Sequence, residues 1–378
     1  MKRVFLLAVT AVLSACAEEQ TMKPIPAYPG VSELVAMMES GETTSTEIVA
    51  ELLRRSDAER DLNAYIIIDA DRALDRAREL DELREAGNLL GPLHGIPLVA
   101  KDNIHVAGMP NTAGTPGMAD FVPDEDNDVV AALREAGALI IGKANMHELA
   151  FGITSDNATY GSVANPYDRT MFPGGSSGGT ASAIAAGLIP AGLGTDTGGS
   201  VRIPAALTGI VGFRPSTDRY DSTAVTPISH TRDTVGLIGR SVADLVVMDH
   251  VIDPGGQRIT TVSAGSIRLG VPRAYYFDNV DAQASAVIEI ALGKLRDAGI
   301  TLVETDPPGI DALLATSAFP IALYEVMTDL PAYLEEYSVG KDIGAIAEAA
   351  GSPDVQGLFA SLLGDGQIPE EVYADALV

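Results

Sequence analysis

The chain has 378 residues, 46% of them hydrophobic, and its 38 glycines and 22 prolines are scattered, which excludes a low-complexity or disordered chain. Asp and Glu outnumber Lys and Arg by 52 to 25, a formal net charge of −27 that repels nucleic acid and anionic membrane surfaces. A single cysteine excludes an intramolecular disulfide, and the absence of tryptophan leaves a core of Ala, Val, Ile and Leu.

The first segment, MKRVFLLAVTAVLSAC, places Lys2 and Arg3 before an apolar run over residues 4–13, followed by the small residues Ser14 and Ala15 and then Cys16. The run is too short to span a bilayer, and its basic–apolar–small order is that of an export signal. It resembles a bacterial lipoprotein signal, with Leu13-Ser14-Ala15-Cys16 as the lipobox. The resemblance implies cleavage before Cys16, a lipid on that cysteine, and a periplasm-facing protein of the cell envelope whose lipid is its only membrane attachment. Residues 1–15 are therefore expected as signal, 16–30 as a polar tether and 31–378 as the folded domain.

Periodicity and capping signals predict amphipathic helices over 31–40 and 44–57, the second opened by the capping box Thr44 with Glu47. A short strand follows over 65–69, a charged helix over 70–87, and a buried strand over 96–101 that delivers Lys101 and Asp102 to its end. A helix over 128–136, a strand over 138–141, an Ala-rich helix over 179–187 and a strand over 191–194 continue the alternation. Beyond these, a strand over 267–271, a helix over 282–297 and a strand over 300–304 repeat it, and the chain after Thr305 is helix-rich. Such alternation predicts an α/β fold, a mixed or parallel sheet sandwiched by helices.

Residues 174–202, GGSSGGTASAIAAGLIPAGLGTDTGGSVR, hold two glycine-flanked serines, Ser176 and Ser200. Glycines let the backbone turn sharply, so the N–H groups of Thr197, Gly198, Gly199 and Ser200 could face one point, as an oxyanion hole requires. A serine nucleophile needs a base, and Lys101, after the apolar run of GIPLVAKDNI, could lose its charge by desolvation. On the residues alone, Ser200 could equally cap a helix near Pro204, and Lys101 could be an ordinary strand-end lysine facing solvent. Asp102, the next residue, is expected on the opposite face of the strand. Gly174–Gly178 also fits the GxSxG pattern, with Asp233 and His250 to complete a triad, but no strand-like sequence precedes Ser176.

Four long blocks carry a second resemblance: GPLHGIPLVAKDNI, VVAALREAGALIIGKANMHELAFG, NPYDRTMFPGGSSGGTASAIAAG and LGTDTGGSVRIPAALTGIVGFRPS. Through them the chain resembles the amidase signature family of serine hydrolases, from about Gly30 to Thr305. The resemblance implies the amidase signature fold and a triad of Lys101, Ser176 in a cis peptide linkage, and Ser200 as nucleophile. It implies hydrolysis of a small carboxamide, a linear amide, through an acyl-enzyme, with no cofactor. It also implies that a C-terminal segment with which family members complete the domain is missing here.

The block Thr226-Pro227-Ile228-Ser229-His230-Thr231-Arg232-Asp233-Thr234 is similar to one in family members acting on arylalkyl amides such as mandelamide and indoleacetamide. Two other functions share the motifs. One is the glutamine-amidase subunit of a tRNA-dependent amidotransferase, which the export signal opposes. The other is a non-catalytic lipoprotein that binds with the same scaffold. Five histidines without ligand spacing and the lone cysteine give no expectation of a metal, and nothing in the sequence speaks to oligomeric state.

Overall fold

The structure, a computed structural model, describes residues 28–256 and 260–378. The signal segment, Cys16 and most of the tether lie outside the described residues.

The chain opens with helices α1 (Val31–Glu39) and α2 (Ser45–Ala58), then strand β1 (Tyr65–Ile68), α3 (Ala70–Glu85) and β2 (Pro97–Lys101). Thr44 caps α2 as expected, its hydroxyl accepting from the Glu47 N–H while the Glu47 carboxylate accepts from the Thr44 N–H. Next come α4 (Asp128–Glu135), β3 (Leu139–Ala144), α5 (Gly178–Ala185), β4 (Ala191–Thr195) and α6 (Arg202–Leu207). Two short strands, β5 (Val211–Phe213) and β6 (Val235–Gly239), and α7 (Val242–Ile252) complete the larger layer.

These six strands form one sheet in the order β1-β3-β2-β4-β6-β5. β2 runs parallel to both β3 and β4, whereas β1, β6 and β5 join antiparallel, so the sheet is mixed. Helix α5 lies across β1, β2, β4 and β6, while α3 and α4 pack on β3 and α7 on β6. The core between them is aliphatic: Leu98, Val99, Ile141, Ile184, Leu193, Leu237 and Met248 are all fully buried.

Two differences from the expected elements have physical reasons. β3 continues to Ala144 because Lys143, a residue that ends a hydrophobic run on paper, is buried against Asp102. β5 and β6 carry Gly212, Gly236 and Gly239, which hide their strand character.

Downstream, β7 (Arg268–Val271) and β8 (Thr301–Glu304) pair in parallel as a separate two-stranded sheet, joined by α8 (Ala282–Asp297). Helix α9 (Ile310–Glu336) follows, and its Val326, Leu330, Tyr333 and Leu334 form a second core. That core is shared with α10 (Ile343–Ala349) and α11 (Pro353–Leu362). α12 (Glu370–Ala376) packs back on α9, with Tyr373 stacked on Tyr324 at 4.0 Å between ring centroids.

Gly142 of β3 faces Ile68 of β1, and a Cβ there would overlap the Ile67 carbonyl oxygen and lie 3.1 Å from the Ile68 Cα. Gly142→Ala is expected to force β1 outward and to cost about 1–3 kcal/mol, as overpacking does. Urea unfolding of the variant checks it; an unchanged midpoint would show that β1 gives way freely.

Candidate active site

β2 and β4 are parallel neighbours, Ala100 opposite Leu193, so their last residues, Lys101 and Thr195, emerge together at one edge of the sheet. The Gly175–Ser176 peptide, which is cis, precedes α5 and brings Ser176 to the same edge. Lys101 Nζ lies 2.7 Å from Ser176 Oγ and 2.7 Å from Thr195 Oγ1. Asn103 Nδ2 donates to Thr195 Oγ1 at 3.1 Å, which holds that hydroxyl in place.

Lys101 has no exposed surface. Burial pulls its pKa down from the usual lysine range to about 7, against the opposing pull of the Asp196 and Asp233 charges. Asp102 takes the other face, as the alternation of a strand requires: it accepts from Thr112 and lies 3.3 Å from Lys143 Nζ. In that buried pair desolvation pushes the carboxyl up and the ammonium down, each restrained by its partner's charge.

Ser200 stands in the turn between β4 and α6, 9% exposed. Its carbonyl accepts from the Ser177 N–H at 3.2 Å, which ties the two serine loops together. The structure shows no hydrogen bond between the Ser200 and Ser176 hydroxyls.

The turn is built around Asp196. Its carboxylate accepts from the N–H groups of Gly199 at 2.8 Å and Val201 at 3.2 Å, bracketing Ser200. Arg202 adds two bonds at 3.0 Å, and Arg214 lies 3.2 Å away. Burial pushes this carboxyl up, but the Arg202 bonds and charge outweigh it and hold it below the usual range. One expectation is corrected here: the Gly199 N–H is engaged by Asp196 and is not free for an oxyanion. The N–H groups of Thr197, Gly198 and Ser200 meet no acceptor among the described residues. Gly198 faces open space, with no atom within 4 Å of a Cβ placed there, whereas Gly199 has φ +130° and a Cβ on it would meet Ile203 at 2.8 Å. Only glycine suits the second position.

The loop 226–234 closes the site from the other side. Its Thr226 N–H donates to the Asn103 carbonyl at 2.8 Å, and Asp233 accepts from Thr197 Oγ1 at 2.5 Å. Asp233 also accepts from the Ile228 and Ser229 N–H groups, at 2.7 and 3.0 Å. It is no partner of His250, which is exposed on α7, and no strand precedes Ser176, so the GxSxG triad is not assembled. Asp233 also borders a cleft of about 500 Å³ walled by Tyr220, Tyr333 and Tyr337. A larger cavity of about 710 Å³, near Phe121 and Lys341, is lined by none of the triad residues.

Sequence reasoning missed Thr195, Asn103 and Asp196 as site residues, although all three stand within the quoted motifs, and it weighed Asp233 only as a partner of His250. It also missed the approach of His230 to Glu325 and Asp329, whose ligand-type atoms lie within 4.8 Å of one another. Linear spacing hides that group because helix α9 brings in the two carboxylates. Their oxygens are engaged by loop 226–234 and Tyr373.

Comparison with known proteins identifies the family. The Amidase family model matches residues 47–358. An indoleacetamide hydrolase of Rhizobium radiobacter is 40% identical over 327 residues, 86% of this chain and 69% of that protein. A mandelamide hydrolase of Pseudomonas putida is 40% identical over 345 residues, 90% of this chain and 68% of that protein. Among solved structures, the native peptide amidase of Stenotrophomonas maltophilia superposes with a TM-score of 0.77 at 32% identity, covering 94% of this chain and 76% of that one. The family model spans most of the chain and the fold likeness points the same way: the chain belongs to the amidase family, hydrolases that act on carbon–nitrogen bonds.

Proposed function

We propose that the protein hydrolyses a small carboxamide through an acyl-enzyme on Ser200, with Ser176 and Lys101 as its proton relay. The observation that carries this reading is the fully buried Lys101 amine, 2.7 Å from the Ser176 hydroxyl. A neutral amine donates to Thr195 Oγ1 and keeps its lone pair for the Ser176 proton. As Ser200 Oγ attacks the carbonyl, its proton passes to Ser176 Oγ, and the Ser176 proton passes to Lys101. The oxyanion forms against the N–H groups of Thr197, Gly198 and Ser200. Collapse breaks the C–N bond, and Ser176 protonates the leaving ammonia or amine and recovers its proton from Lys101. Water then attacks the acyl-enzyme with the same relay and releases the acid. The names of the relatives favour an arylalkyl amide, such as indoleacetamide or mandelamide, as the first substrate to test.

Ser200→Ala is expected to abolish amide turnover and labelling by a fluorophosphonate probe while leaving the far-UV circular dichroism unchanged. Retention of more than a few per cent of the activity, contaminating hydrolases excluded, would remove Ser200 from the role of nucleophile.

Because the folded-state pKa of Lys101 is about 7, kcat/KM is expected to rise along one ionisation with a midpoint near that value and then level off. The linkage has a definite sign. A lysine whose pKa is lowered on folding is protonated in the unfolded chain over a wider pH range, so the stability cost of burying it is largest at low pH. That cost fades as pH rises towards the unfolded value of 10.5. Lys101→Ala should lose most of the rate and the acidic limb together; a variant that kept both would place the base elsewhere.

We also propose that Cys16 carries a lipid that anchors the protein, facing the periplasm. The support is the Leu13-Ser14-Ala15-Cys16 run after the apolar segment. Mass spectrometry of the membrane-extracted protein should find a lipid-modified Cys16 as the first residue. An unmodified Cys16 in a soluble exported product would refute the anchor.

A further inference from the structure

Helix α9 reaches the catalytic turn through one loop. Glu325, 1% exposed on α9, accepts on Oε2 from the Ser229 hydroxyl, from the Thr231 hydroxyl at 3.0 Å and from the Thr231 N–H at 3.2 Å. Its other oxygen accepts from Tyr373 of α12 at 2.8 Å. One helical turn on, Asp329 accepts from the His230 N–H at 2.8 Å and lies 3.0 Å from the His230 ring. Three successive loop residues are thereby fastened to one face of α9. Burial pushes the Glu325 carboxyl up, but the bonds from Ser229, Tyr373 and Thr231 outweigh it, so it is held as a carboxylate.

The other side of the same residues faces the catalytic turn. Ser229 donates its N–H to the Asp233 carboxylate at 3.0 Å and accepts the Asp233 N–H at 2.8 Å. Asp233 in turn holds Thr197 Oγ1, and Arg232 Nε donates to the Thr197 carbonyl at 3.4 Å. Ser229 is therefore the pivot between Glu325 and Asp233, and Asp233 is the clamp on the first residue of the donor turn.

We infer that Glu325 is a positioning residue for the Thr197–Ser200 turn, acting through Ser229, Thr231 and Asp233 rather than on the substrate. The inference rests on the proposed role of that turn as the oxyanion site. Donors aimed at an oxyanion stabilise a charge that exists only in the transition state, so loosening them lowers kcat and leaves KM nearly untouched. Small displacements are costly, since a misplacement on the order of 1 Å can remove about a hundredfold of rate.

The test compares kcat, KM and the urea midpoint of the full chain and its variants on one amide. Glu325→Ala leaves the Ser229 and Thr231 donors without an acceptor and is expected to lower kcat about tenfold or more, with KM within about twofold. Glu325→Gln keeps a carbonyl oxygen for those donors, turns its NH2 towards the Tyr373 oxygen, and is expected to recover most of kcat. If Glu325→Ala does not fold, Ser229→Ala combined with Thr231→Val removes both hydroxyl bonds to Glu325 from the loop side and carries the same expectation. A folded variant with a lowered urea midpoint but kcat within about twofold of the parent overturns the inference, because a purely structural contact behaves that way. So does Glu325→Gln losing as much kcat as Glu325→Ala. Ser200→Ala separates the two readings: its activity sinks the proposed mechanism, whereas an inactive Ser200→Ala beside a normal Glu325→Ala sinks this inference alone.

Discussion

The candidate active-site edge is organised around a fully buried amine. Placing Lys101 at the end of a strand flanked by β3 and β4 removes its hydration, and the desolvation of an ammonium is large enough to shift its equilibrium towards the neutral form. A buried amine still needs partners, and the two within 2.7 Å are hydroxyls, not carboxylates. A carboxylate in either place would favour the ammonium and leave no lone pair for the proposed relay. The neighbouring Asp102 meets this constraint by geometry: the pleat sends it to Lys143, 3.3 Å away, where a second buried charge is compensated.

Asp196 supplies the complementary constraint. A glycine-rich turn has little conformational preference of its own, so its N–H directions must be imposed from outside. The Asp196 carboxylate does so by capturing the N–H groups on both sides of Ser200, and Arg202 and Arg214 keep it ionised within a buried setting. Capturing Gly199 removes one donor from the turn and orients the remaining ones. Asp233 grips the same turn through Thr197, so two carboxylates at opposite ends define it.

Two carboxylates of α9 tie the second core to loop 226–234. The first core surrounds the six-stranded sheet; the second surrounds α9, α10 and α11. α9 is long and apolar enough to cross a membrane by length and composition, and its most apolar stretch is mostly unburied, whereas Val326, Leu330 and Leu334 near its C-terminal end are buried in the second core. Glu325 and Asp329 on that helix hold loop 226–234, and Tyr333 accepts from Thr226 and Asn111 while its hydroxyl lies 2.7 Å from His105. Packing in the second core therefore bears on the geometry of the first.

Local signals in the sequence determined the elements and the motif residues. The capping box at Thr44, the buried run before Lys101 and the glycines around Ser176 and Ser200 each act over a few residues, so they are legible without a fold. The family resemblance added roles to those residues. Tertiary structure alone decided which groups meet. The Lys143–Asp102 pair extends β3 past its apolar run, and Thr195 faces Lys101 because β2 and β4 are parallel neighbours. Gly199 is withdrawn from the donor set by a carboxylate three residues earlier, and Glu325 reaches Ser229 across 96 residues of chain. Such contacts depend on strand order and helix docking, and a hydrogen bond between distant residues leaves no periodicity in the chain to read.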